Sequence, residues 1–176
     1  LGRLAGQSDL SGSAVLDGTI TGNARSLQTA GALDGSNLGS GDNSALDVNS
    51  RYSVKVPDLA FKRAQVEADT TATLIKAGKV ELSTVTAKTT YEGQRLQFTA
   101  NVKEQQRELD ATGELILHPD HQEVHLPQLA LRTQGIEWRS APGAEVTVKY
   151  GQDRVEIDNL RLTSGDQALT VNGAFA

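Results

Sequence analysis

Val155-Glu156-Ile157-Asp158-Asn159-Leu160-Arg161-Leu162, followed a few residues later by Leu169-Thr170-Val171-Asn172-Gly173-Ala174-Phe175, is the stretch from which the fold is read. Apolar residues recur there at a spacing of two, the period of a strand with one covered face. In the first segment the parity slips by one between Ile157 and Leu160. Both halves face one side only if a bulge or tight bend absorbs the extra residue. In the second segment Gly173 falls on the apolar side, where a missing Cβ permits strong bending or the close approach of another backbone or a ligand.

Each segment has three further copies. The first pattern returns as Val54-Lys55-Val56-Pro57-Asp58-Leu59-Ala60-Phe61, Val80-Glu81-Leu82-Ser83-Thr84-Val85-Thr86-Ala87 and Val124-His125-Leu126-Pro127-Gln128-Leu129-Ala130-Leu131. Pro57 and Pro127 fall at the slip, where a bulge or edge leaves the missing N–H unneeded. The second pattern returns around Gly18, Gly31 and Gly113. Copies of the first pattern begin at 54, 80, 124 and 155, in steps of 26, 44 and 31. A parallel β-helix or a stacked-rung stalk needs a near-constant step, so the spacing predicts an antiparallel meander with hairpins of unequal length.

The same alternation fills the rest of the chain, through Leu46 to Val56, Ala64 to Leu74, Leu96 to Val102, Leu109 to Leu117 and Ala144 to Tyr150. Polar clusters such as Glu92-Gly93-Gln94-Arg95, His118-Pro119-Asp120-His121 and Gly151-Gln152-Asp153-Arg154 separate these runs and read as turns. The one stretch of good helix formers, Val102 to Arg107, has neither the length nor an apolar face. The expected class is all-β, in one unit over 1–176. Residues 1–45 form a glycine-rich weaker end, with nine of the 17 glycines, shorter strands and a loop over Asp34–Ser44; residues 46–176 carry the regular strands.

Composition excludes several functions. A net charge of −5 and a pI of about 5.2, with basic residues interleaved with acids, provide no stripe to displace phosphate counterions, so no nucleic-acid partner is expected. Without Cys there are no disulfides or thiolate nucleophiles, and no Gly-x-Ser-x-Gly elbow occurs. Carboxylates are scattered over polar faces, so no acid pair is nominated, and neither an enzyme nor a cofactor is expected. No apolar run exceeds three residues, against the roughly 20 that span a bilayer as a helix. A chain with no Met, running from Leu1 to Ala176 and stopping inside an alternation, reads as an internal piece of a longer one.

The pairing of a Val-x-Leu-x-x-Leu-x-Leu strand with a Leu-x-Val-x-Gly-x-Phe strand, clearest over Val155–Phe175, resembles the envelope-spanning proteins of the TamB and AsmA-like group. The resemblance extends over most of the chain from about Leu46. It implies an open β-groove shaped like a taco shell or half-pipe, and a part in moving phospholipid between the inner and outer membranes of a diderm bacterium. It further implies a periplasmic location in a chain anchored in the inner membrane. An outer-membrane barrel partner, as in the translocation and assembly module, and neighbouring groove segments of the same chain follow from it as expected partners.

A sheet with one apolar face must cover that face with a second sheet, with helices, or with something outside the chain. In a trough the inward side chains form an exposed strip suited to acyl chains, whose burial is non-directional and needs no polar anchor. The expected lining is Val54, Val56, Leu59, Phe61, Val124, Leu126, Leu129, Leu131, Val155, Ile157, Leu160, Leu162, Val171 and Phe175. The same pattern also builds a closed sandwich or a lipocalin-type barrel, and a β-rich stalk is a further reading.

Among polar groups, His118, His121 and His125 with Asp120 and Glu123 have the look of a metal cluster. On a strand His121 and His125 share a face about 13 Å apart, so the cluster is read as a solvated hairpin tip, with no metal. Gly41-Asp42-Asn43-Ser44 lacks the spacing of a calcium loop and reads as a plain loop. Trp138 shares the apolar parity and is expected to be a packing anchor.

Overall fold

The computed structural model describes residues 10–151 and 154–175; residues 1–9, 176 and Gln152-Asp153 of the expected Gly151–Arg154 turn lie outside them. Alternating apolar residues form twelve strands: β1 (Leu10–Asn23), β2 (Ser26–Ser40), β3 (Asn43–Pro57), β4 (Gln65–Ala77), β5 (Val80–Glu92), β6 (Arg95–Glu104), β7 (Arg107–Leu117), β8 (Gln122–Thr133), β9 (Ile136–Ser140), β10 (Val146–Gly151), β11 (Arg154–Ser164) and β12 (Gln167–Phe175). They make one antiparallel sheet in chain order from β1 to β8, continuing through β10 and β11 to β12. A single 3-10 turn at Phe61–Arg63 interrupts the β3–β4 connection.

Most hairpins close on two residues. Gly93 and Gln94 (φ 55° and 76°), like Gln134 and Gly135 (φ 52° and 79°), both take positive φ. That geometry matches the right-handed twist of the flanking strands. Asn23 closes the β1–β2 turn by accepting the N–H groups of Arg25 and Ser26 on its side-chain oxygen at 2.8 and 3.1 Å.

The parity slips are resolved in three ways. In β11 the register with β12 shifts between Ile157 and Leu160, and Asn159 takes φ 58° as the extra residue. In β8 the register with β7 shifts opposite Thr112–Glu114, leaving Leu126 and Pro127 against Gly113, so the proline stands where a ladder N–H is not required. Around β5 the register with β4 does not shift; Leu74 and Ser83 are left unpaired between Thr73–Thr84 and Ile75–Leu82, with Leu74 at φ 46°. In the first copy the slip ends the strand instead: β3 stops at Pro57, and Leu59 and Phe61 lie in the following turn, 46% and 75% exposed.

Two expectations are corrected. Asp34–Ser44 is not a loop, since β2 runs through Ser40, β3 starts at Asn43, and only Gly41 and Asp42 turn. The first strands are not short; β1 has 14 residues and β2 has 15. Ladder bonds join backbone to backbone, so paired neighbours hold Gly, Ser and Asn extended despite their low strand propensity. Val102–Arg107, read as too short and too polar for a helix, is the β6–β7 hairpin tip, with Gln105 at φ 43°.

β9 and β10 together occupy one strand position between β8 and β11, with β9 on the second half of β8 and β10 on the first. Between them the chain leaves the sheet as a loop. Pro142 and Gly143 (φ 73°) turn it, Ala144 N–H donating to Ala141 O at 3.0 Å, and Ala141 N–H ties it to Arg161 O at 2.9 Å. The tightest packing flanks this loop: Ala141, Val146 and Leu162 are buried, and Val56 is the other buried apolar residue described.

Among the described residues β1 pairs only with β2 and β12 only with β11, so no hydrogen bonds close the sheet into a barrel. The accessible surface is 11,927 Å², against about 8,300 Å² for a compact chain of this mass.

Candidate functional site

Directly opposed residues of an antiparallel sheet share a face, so the register sorts the side chains into rows that cross the strands. One row runs Ile20, Thr29, Val54, Val66, Tyr91, Leu96, Leu115, Val124, Val148, Ile157 and Gly173. Another on the same face runs Ala14, Gly35, Val48, Ala72, Val85, Val102, Leu109, Leu131 and Trp138. Trp138 therefore lies beside Leu131 on the apolar face, as its parity predicts.

Of the expected lining residues, Val54 and Val56 of β3, Val124, Leu126, Leu129 and Leu131 of β8, Val155, Ile157, Leu160 and Leu162 of β11, and Val171 and Phe175 of β12 belong to this face. The two bulges return Leu129, Leu131, Leu160 and Leu162 to the side of the residues before them. Leu59 and Phe61 stand off the sheet. Tyr52, Val66, Leu96, Phe98 and Val102 join the face although the recurring pattern did not single them out; plain alternation was their signal.

Between the larger rows lies one of short side chains, Ser50, Thr70, Ala87, Ala100 and Ala111, ending at Leu129. The Ser50 and Thr70 hydroxyls hydrogen-bond each other at 2.8 Å, which satisfies them locally and lowers their cost on an apolar surface. This row crosses β3 to β7, about 19 Å at the usual strand spacing.

The opposite face is polar, and a hollow of about 1000 Å³ is lined by residues of both faces. Its lining combines the row Arg51, Asp69, Lys88, Thr99, Thr112 and Gln128 with the next polar row, including Asp34, Asn49, Asn101 and Asp110, with the short-side-chain row from Ser50 to Leu129, and with the Pro142-Gly143 loop. Asn101 donates to Asp110 Oδ1 and Glu108 Oε1 at 2.7 Å each, and Arg132 reaches Asp110 Oδ2 at 2.7 Å. Those bonds, Asn101 first, hold the Asp110 carboxyl below its ordinary range. Of the expected lining residues, Leu129 alone borders this hollow.

The histidines gather around one carboxylate. His118 and His121 close the β7–β8 turn, His118 N–H donating to His121 O at 3.0 Å, and their rings stack with centroids 4.5 Å apart. Glu123 is one strand step from each of His121 and His125 on the same face and spans the gap between them. Its Oε1 lies 3.1 Å from His121 Nε2, and its Oε2 lies 3.2 Å from His125 Nε2 and 3.9 Å from His118 Nε2. Lys149, directly across on β10, adds Nζ at 3.1 Å from Oε1.

The outer nitrogens have acids of their own: His121 Nδ1 is 2.9 Å from Asp120 Oδ1, and His125 Nδ1 is 3.2 Å from Glu145 Oε1. Hydrogen bonds from His121, Lys149 and His125 hold Glu123 down to about 2. Those to Glu123 and then Asp120 raise the His121 pKa. Sequence reading missed Glu123 as the centre, although the His-x-Glu-x-His alternation was its signal; Lys149 could be found only from the strand pairing.

Comparison with protein-family models, with curated proteins and with solved structures found no match to this chain.

Proposed function

We propose that this chain is a non-enzymatic segment of an envelope-spanning protein whose apolar sheet face shields acyl chains during phospholipid transfer between inner and outer membranes. The observation that carries the reading is an extended apolar face that no second layer covers among the described residues. Twelve strands form one sheet, apolar rows cross nearly all of them, and only four apolar residues among those described are buried. A sandwich of this length would bury many more, because each inner face would cover the other.

Acyl chains suit such a face because every methylene removed from water contributes about 0.8 kcal/mol without directional demands. The row of short side chains between bulkier rows offers an elongated seat, and its hydroxyls already satisfy one another. Repeated aliphatic positions of similar affinity allow a chain to slide while its headgroup stays in water. The open edges β1 and β12 present unpaired backbone groups to which neighbouring segments of the same apolar pattern could add strands. At the end of such a series, an outer-membrane barrel would receive the lipid, and outer-membrane assembly would draw on the same route.

A photo-crosslinking residue at Leu129 or Ile157 tests this in cells of a diderm bacterium carrying the full-length protein. Phospholipid adducts are expected at both positions, with a control at the exposed polar-face Lys55 unlabelled. Adducts to protein alone at Leu129 and Ile157 would overturn the reading.

A further inference from the structure

The His118–Glu123 cluster has no part in shielding acyl chains, since Glu123 shares the polar face with Lys149. Its donors are nonetheless arranged for an ion. One ligand atom each from His118, His121 and Glu123 falls within a sphere where all lie at most 4.8 Å from one another. A turn bond and ring stacking hold the two histidines side by side, and their rings, 15° from parallel, must turn toward each other to bring both lone pairs onto one ion. His121 and His125 both turn Nδ1 to a carboxylate, Asp120 and Glu145, and aim Nε2 at Glu123. A carboxylate on the far nitrogen is the outer-shell arrangement of metal-binding histidines, where it fixes the ring and makes Nε2 the ligand.

We propose that His118, His121 and Glu123 form a binding site for a late first-row divalent cation, Zn²⁺ in the first instance, with Asp120 orienting His121. Two imidazoles and one carboxylate are a frequent three-ligand set for zinc, with water in the fourth position of a tetrahedron. Calcium and magnesium are disfavoured, because they require six or more oxygen ligands and the cluster supplies mainly nitrogen. The ion takes the place between His121 Nε2 and Glu123 Oε1 now spanned by a hydrogen bond, and the displaced proton passes to solvent. His125 keeps its bond to Glu123 Oε2 and steadies that carboxylate. Lys149 opposes binding, since its ammonium contacts the same oxygen, Oε1, at 3.1 Å.

The test is calorimetric titration of zinc chloride into the chain, together with the visible spectrum after cobalt substitution. One ion per chain is expected, with an intense tetrahedral cobalt band. His121→Ala and Glu123→Gln should each weaken zinc binding at least tenfold; Asp120→Asn should weaken it by roughly 10- to 100-fold without removing a ligand. Lys149→Met should tighten binding several-fold, which a purely structural salt cluster would not do. Circular dichroism of each variant separates loss of the site from loss of the fold. Absence of one-to-one binding by the wild-type chain, or equal affinity in wild type, His121→Ala and Glu123→Gln, overturns the proposal.

Discussion

Gly31, Gly113 and Gly173 occupy the same step of the recurring strand, but their surroundings differ. A Cβ built on Gly31 would meet Asp17 O and Gly18 Cα on the next strand, and one built on Gly113 would meet His125 O. Tyr52, paired with Gly31, reaches far enough to bring its hydroxyl beside Gly18. At Gly173 the nearest atom is Phe175 Cζ at 3.9 Å, an ordinary contact. Gly31→Ala should therefore lower the unfolding free energy by about 1–3 kcal/mol through overpacking. Gly173→Ala should change it by no more than about 0.5 kcal/mol. Urea denaturation of the two variants checks the contrast. The sequence marks all of these glycines as unusual for a strand; which of them has a backbone pressed against it depends on a neighbour far along the chain.

At the scale of elements, the interrupted strand formed by β9 and β10 is where the sheet is best packed. Val146, at 2% exposure, sits at the loop's exit, opposite Leu126 of β8. Val146→Ala should cost about 2 kcal/mol by leaving a cavity. Ile20→Ala on β1, where the side chain is 74% exposed, should fall within about 0.5 kcal/mol of wild type. Thermal and chemical unfolding of both report the difference. The bulges in β8 and β11 were legible as parity slips because the slip is local. The sharing of β8 between two partners was not, since it is fixed by which strand arrives beside which half. The Asp34–Ser44 error has the same origin: composition describes local preference, whereas pairing on both sides decided the conformation of β2. The histidine cluster was half legible, its strand face from the i, i+2, i+4 spacing and its fourth contact, Lys149, from a strand 26 positions beyond Glu123.

At the scale of the whole molecule, one sheet with an uncovered apolar face should tolerate a charge that a closed core would reject. Leu129→Arg places a guanidinium at the end of the short-side-chain row, where it can reach water. The melting temperature should fall by only a few degrees, in keeping with a surface substitution, while the proposed phospholipid transfer by the full-length protein should be obstructed. Buried between two sheets, the same group would be an unpaired charge and unfold the domain, so a melting point and a transfer assay on one variant distinguish the two arrangements.

The sequence by itself determined that the chain is all-β and antiparallel, which strand residues share the apolar side, and where β8 and β11 bulge. These properties follow from the two-residue period and from steric limits on Gly, Pro and Asn, which act over a few residues. The tertiary structure alone decided that the first strands are long, that β9 and β10 share one position, that the sheet is left open between β1 and β12, and that three histidines meet one glutamate. Each of these depends on hydrogen bonds or charges brought together by pairing between distant segments, and a local pattern does not specify its partner.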